Sequence, residues 1–198
     1  MMRSTLAIAL LLGAPAVALA QSPAWEADPA HTHIGFGVRH LMVSNVKGEF
    51  TKYKVRVTGE PKDPARAAID VTIEAASINT GVADRDKHLR SPDFFDVAKY
   101  PTITFKSKKI ARVGKNGLKV TGDLTIHGAT REVVLEARDL AGPIKDPWGM
   151  SRLGLQASGL IDRRDFGLKW NKAIEAGGVV VGNEVRIALE VELVTKAP

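Results

Sequence analysis

The chain has 198 residues, 28 Lys and Arg against 22 Asp and Glu for a formal net charge of +6, and no cysteine. That length suits one domain with a core of its own, and the missing thiols exclude disulfides, Cys-ligated metals and thiol nucleophiles. Positive and negative residues are interleaved along most of the chain, so the small basic excess does not mark a nucleic-acid surface.

In chain order, the first twenty residues carry Arg3, an apolar run from Leu6 to Leu19, and small residues at Ala18 and Ala20. This is the pattern of an export signal cut after Ala20. The run is shorter than the roughly 20 apolar residues of a membrane span and contains Pro15, which argues against an anchor. The expected mature protein is a single domain over 21–198.

From Ile34 onward apolar and polar residues alternate, the period of half-buried strands. Eight strands are predicted, at 31–39, 46–58, 67–75, 102–111, 118–126, 130–140, 148–162 and 183–194. Most connections are short and rich in Gly, Pro, Asn and Asp. Two are longer, 79–101 and 163–182, and the first contains a short predicted helix at 82–90. Sequential antiparallel strands of this number suit a closed up-and-down barrel, which leaves no free edge, with a two-sheet sandwich as the alternative.

Alternation also assigns faces. Ile69, Val71, Ile73 and Ala75 share one side of their strand, as do Val185, Ile187, Leu189, Val191 and Leu193. Small residues recur in the apolar register at Gly48, Gly122, Ala157 and Gly159. They predict either space inside the barrel or bends and bulges that help the sheet close.

Polar candidates for chemistry are sparse. His31 and His33 share a strand face, a spacing open to metal ligation, but no third ligand is evident and a hydrogen-bonded pair is expected. Asp84, Arg85, Asp86 and His88 crowd the predicted helix; an acid and a His one turn apart would suit general-base work, yet no nucleophile accompanies them. His127, before Gly128, is expected to bond the backbone. Lys106, Lys108, Lys109, Arg112, Lys115 and Lys119 surround Asn116-Gly117 and read as a solvated hairpin, or as a weak attraction to anionic lipid. Trp148, Phe166 and Trp170 gather in the last third. Asp165-Phe166-Gly167 has no other kinase element around it.

Several ordered blocks carry a family likeness. They are Asp28-Pro29-Ala30-His31 with Ile34-Gly35-Phe36 and Val38-Arg39-His40-Leu41; Val46-Lys47-Gly48-Glu49-Phe50; Ser77-Ile78-Asn79-Thr80 with Arg85-Asp86-Lys87-His88-Leu89; Ser91-Pro92-Asp93-Phe94-Phe95-Asp96 with Tyr100-Pro101-Thr102-Ile103-Thr104-Phe105; Gly122-Asp123-Leu124-Thr125-Ile126-His127-Gly128; and Asp165-Phe166-Gly167. Over essentially all of 21–198 the chain resembles the YceI-like family of bacterial periplasmic polyisoprenoid-binding proteins; Thr32 stands where that family often has Ser. The resemblance implies a lipocalin-like eight-stranded antiparallel barrel with an apolar central pore and a short helix in a long loop. It also implies a periplasmic location, a bound isoprenoid quinone or polyprenyl phosphate, and a homodimer.

On that basis the expected function is a carrier or store of isoprenoid lipid, with no catalytic residues, metal or cofactor. The expected pore lining is Ile34, Phe36, Phe50, Ile73, Phe105, Leu124, Leu155 and Ile161, with Phe166 and Trp170 near the mouth. Arg85 and His88 are the candidates for a lid or a head-group contact, and transient contact with a membrane surface is expected. Two alternatives stay open: a secreted interaction module with a filled barrel, and an enzyme using Asp84, Asp86 and His88 on a bound lipid.

Overall fold

The computed structural model describes residues 24–175 and 177–196; the expected leader at 1–20 lies outside them. The strands are β1 (Ala24–Ala27), β2 (His33–His40), β3 (Ser44–Phe50), β4 (Tyr53–Thr58), β5 (Ala68–Glu74), β6 (Ile78–Asn79), β7 (Thr102–Val113), β8 (Gly117–Ile126), β9 (Ala129–Lys145), β10 (Met150–Asp162) and β11 (Val181–Lys196), with one α-helix among the described residues, α1 (Ala83–Arg90). All pairings are antiparallel, and the sheet closes because β1 pairs with both β4 and β11. The strand pairs β1/β2, β3/β4 and β5/β6 are each one barrel strand interrupted by a kink. Counted that way, the fold is the eight-stranded up-and-down barrel that the alternation predicts.

The kinks have identifiable partners. Between β1 and β2 the Asp28 N–H donates to the Glu192 carbonyl at 2.8 Å, while the Thr32 hydroxyl donates to that carbonyl at 3.2 Å and accepts from the Glu192 N–H at 3.1 Å. A single hydroxyl thus replaces a missing ladder rung, a task a serine would also perform. Between β3 and β4 the Thr51 N–H goes to the Ser77 carbonyl at 3.2 Å and the Lys52 N–H to the Ser77 hydroxyl at 3.1 Å. The predicted single strand over 46–58 is therefore broken at Thr51 and Lys52.

Two further expectations change. The strand predicted to end at Leu140 runs on past Gly142 and Pro143 because β10 pairs with it there, and with no β8 partner opposite, a proline is tolerated on that free edge. Trp25, outside every predicted strand, lies on β1 and is buried against Val55 and Leu193. The lysine-rich β7–β8 ribbon is partly neutralised: Lys108 pairs with Asp123 at 3.3 Å and Glu132 at 2.9 Å, and Lys106 lies 3.9 Å from Asp70.

Up-and-down order gathers the turn at 41–43, α1, the 127–128 turn and the 163–180 segment at one end of the barrel, the α1 end. The hairpin turns at 114–116 and 146–149 lie at the far end.

Candidate functional site

A cavity of about 270 Å³ runs along the barrel axis, from Val57, Leu118 and Leu193 towards the far end to Val38, Phe94 and Leu168 at the α1 end. Period-two alternation builds it: Ile69, Val71 and Ile73 face inward from β5 and Val185, Ile187, Leu189, Val191 and Leu193 from β11, while Asp70, Thr72 and Glu74 face out. Among the described residues, every lining side chain is apolar except that of Arg163.

Of the residues expected to line a pore, Ile34, Phe36, Phe50, Ile73, Phe105, Leu124, Leu155, Ile161 and Phe166 border this cavity. Trp170 does not. Its ring packs among the end loops, with centroids 5.2 Å from Phe94 and 4.9 Å from His88. Leu89, Phe94, Phe95 and Leu168 complete the α1 end of the lining, although the sequence offered no period to place loop residues there.

The small inward residues do not all leave space. A Cβ on Gly122 would lie 2.5 Å from the Phe105 ring and 2.4 Å from the Lys106 carbonyl, one on Gly48 2.4 Å from the Phe36 ring, and one on Gly159 2.7 Å from the Leu135 side chain. These glycines accommodate large side chains from adjacent strands, which lean across them. Gly122 also sits beside the register shift between β7 and β8. The reading of Gly122 and Gly159 as open channel wall is thus corrected, whereas Ala157 does line the cavity.

Polar contacts fix α1 to the barrel. The buried Asp86 carboxylate accepts from the Thr80 N–H at 2.9 Å and the Thr80 hydroxyl at 2.5 Å, and Arg85 donates to the Thr80 hydroxyl at 2.7 Å and carbonyl at 2.8 Å. Arg90 donates to the carbonyls of Ala76 and Ile78, both at 2.7 Å. His88 pairs with Asp93 at 2.8 Å, not with Asp84. Neither Arg85 nor His88 borders the cavity, and Asp86 and His88 are committed to different partners. His127 lies against Tyr100, with ring centroids 4.4 Å apart and the ring planes tilted by 56°.

His31 and His33 do not converge: one lies 3.0 Å from Asp28, the other 2.8 Å from Glu49. Asp28, His31 and Glu192 do approach one another, but Arg152 stands between the carboxylates. It contacts Glu192, lies 2.7 Å from Asp28 and reaches Asp146 at 2.6 Å. The Arg152 hydrogen bond, followed by those from His31 and the Ala30 N–H, holds the Asp28 carboxyl down at about 2.

Arg163 is the site residue that sequence reasoning missed. Only 5% exposed, it directs Nε to the Gly182 carbonyl at 2.9 Å, Nη1 to the carbonyls of Leu168 at 2.5 Å and Trp170 at 2.9 Å, and Nη2 to the Val181 carbonyl at 3.4 Å and Asn183 Oδ1 at 3.3 Å. All five donors of the guanidinium are used. No carboxylate lies within ion-pair distance of it among the described residues, because neighbouring Asp162 bonds Arg164. Burial accordingly pushes its pKa down. Among the described residues the cavity therefore presents hydrocarbon and a guanidinium with no donor to spare, an arrangement with room for an apolar guest.

Known proteins with this architecture extend the picture. The YceI protein of Escherichia coli O17:K52:H18 is 42% identical over 144 residues, 73% of this chain and 74% of that one. The crystal structure of BcnA from Burkholderia cenocepacia superposes with a TM-score of 0.73 at 25% identity, covering 84% of this chain and 98% of that one. A polyisoprenoid binding domain from Saccharophagus degradans, implicated in plant cell wall breakdown, shares the fold with a TM-score of 0.63 at 17% identity, covering 90% of this chain and 100% of that one. Residues 25–193 match the YceI-like domain, and the chain belongs to the YceI-like family.

Proposed function

We propose that the protein is a periplasmic carrier or store of an isoprenoid lipid, whose hydrocarbon chain occupies the axial cavity while its head group stays outside. The observation that carries this reading is the lining: apolar throughout, with the donors of its one polar residue already consumed. A thin hydrocarbon needs little else, since each Å² of apolar surface removed from water contributes about 25 cal/mol. The Saccharophagus degradans domain of the same fold, named for polyisoprenoid binding, supports the ligand class. The export pattern before Gln21 supports the compartment.

The test is organic extraction of protein purified from its own periplasm, followed by mass spectrometry. One long-chain isoprenoid per chain is expected, and adding it back to stripped protein raises the melting temperature by ligand linkage. Protein that is consistently empty and unmoved by added isoprenoid overturns the proposal.

A further inference from the structure

The turn joining β2 to β3 is built against its own sequence. The Val43 N–H donates to the His40 carbonyl at 3.1 Å, and both central residues have positive φ, 49° at Leu41 and 61° at Met42. Positive φ at both central residues of a turn favours Asn-Gly, because other L-residues meet their own carbonyls there, although the register pairs His40 with Ser44 and leaves three residues in the connection. Burial explains the choice of Leu and Met only in part: Leu41 is 37% and Met42, beside Gly178, 43% exposed, and Val43 is 75% exposed. Backbone strain combined with unburied apolar area marks a position shaped by something other than folding.

Charge identifies the partner. On the outer wall beside the turn, Arg39, Lys47 and Arg186 share a groove with a single carboxylate, Glu184, and none of the four has an ion-pair partner within reach among the described residues. Arg39 also donates to the Met42 carbonyl at 2.8 Å, tying the cationic groove to the apolar tip. An apolar tip flanked by unneutralised cations complements an anionic bilayer, with hydrocarbon below and phosphate alongside. At the far end, Val113 is a single exposed valine on the cationic β7–β8 hairpin, with no second exposed large apolar residue beside it, and the tip with Trp148 and Ile144 lacks the charge complementarity. It adjoins Asp28, Asp146 and Glu192, which together outnumber Lys145 and Arg152.

The geometry points to the turn at 40–43 as a membrane-docking wedge: Leu41, Met42 and Val43 enter the head-group layer of an anionic phospholipid bilayer while Arg39, Lys47 and Arg186 lie against its phosphates. Val38 and Val181, adjacent to the turn along β2 and across to β11, already line the cavity. Docking in this orientation brings the α1 end of the cavity to the lipid source. The purpose of the wedge rests on the isoprenoid-carrier reading, but its binding can be measured separately.

The experiment is flotation of lipid-stripped protein with vesicles of phosphatidylcholine containing about one third phosphatidylglycerol, against phosphatidylcholine alone. The double variant Leu41→Asn/Met42→Gly supplies the residues the turn prefers, so it melts no lower than the parent. Its partitioning onto anionic vesicles falls roughly tenfold or more. Lys47→Gln/Arg186→Gln lowers binding and flattens its salt dependence, and Trp148→Ser changes neither. The wedge is overturned if Leu41→Asn/Met42→Gly binds as the parent does, if Trp148→Ser abolishes binding, or if the turn variant instead dissolves a dimer in sedimentation. Extraction separates the two readings: protein empty in the periplasm but docking through this turn refutes the carrier alone, and loaded protein that never docks refutes the wedge alone.

Discussion

Strand β10 has an arginine at each end, and the two are satisfied in opposite ways. Arg152, near the far end, is held by the carboxylates of Asp28, Asp146 and Glu192 in a setting solvent still reaches. Arg163, just past the α1 end, is buried and held by four backbone carbonyls and one side-chain amide. The first arrangement is electrostatic and answers to pH and salt. The second is geometric: its acceptors come from 168–170 and 181–183, so one guanidinium holds both arms of the long connection against the cavity.

The largest effect should follow loss of the geometric site. Arg163→Met removes every one of those hydrogen bonds and strands buried carbonyls, so we expect a loss of about 3–5 kcal/mol in chemical denaturation. Arg163→Lys should recover little, since an ammonium has three donors and no planar fork. Full rescue by Lys would mean that charge, and not the fork, holds the connection.

Arg152→Met should cost less at neutral pH, and by a different route. It leaves three carboxylates facing one another, so the melting temperature should drop at pH 7 and recover relative to the parent as the pH falls and the carboxylates protonate. An equal deficit at pH 7 and pH 3 would assign the loss to packing of the arginine stem.

Acid titration of the parent gives a smaller, graded effect. Asp28 and Asp162 are both held at about 2, Asp28 chiefly by Arg152 and Asp162 chiefly by Arg164, and Asp146 is also lowered by Arg152. A carboxyl lowered on folding stabilises the native state above its unfolded pKa near 3.8, and that contribution disappears as the pH falls through about 2. Melting temperature should therefore decline between about pH 4 and pH 2, with a shallower slope in Arg152→Met.

The smallest effect should come from salt. Raising ionic strength from 0.1 to 1 M shortens the screening length from about 10 to 3 Å. That should slightly weaken the parent and slightly stabilise Arg152→Met, whose three facing carboxylates are then screened from one another, while Arg163 contributes nothing to it.

The same contrast bears on what the sequence discloses. Period-two alternation identified the wall, because the inward residues of β5 and β11 differ from the outward ones in kind. Arg163 escaped notice since a charged residue after a strand reads as solvated, and its partners are carbonyls, which have no letter in a sequence. The choice between the two readings of the glycines was out of reach for a related reason. Composition shows that Gly122 is small, but only the fold shows that Phe105 from the next strand has taken the space. Trp170, placed near the mouth by its aromatic character, packs at the α1 end against His88 and against Phe94, which borders the cavity, without bordering the cavity itself.

Thr32 and Glu192 stand 160 positions apart, yet a hydroxyl of one completes the backbone of the other. The ring is sealed by its earliest strands meeting its last, so no cylinder exists until β11 has been delivered. Up to that moment β10 and β2 are open edges able to pair with a neighbouring chain. Contacts this remote along the chain form slowly, typically over milliseconds to seconds. The exposed interval before closure, more than any weakness in the finished barrel, is when the protein is most open to aggregation and to proteases.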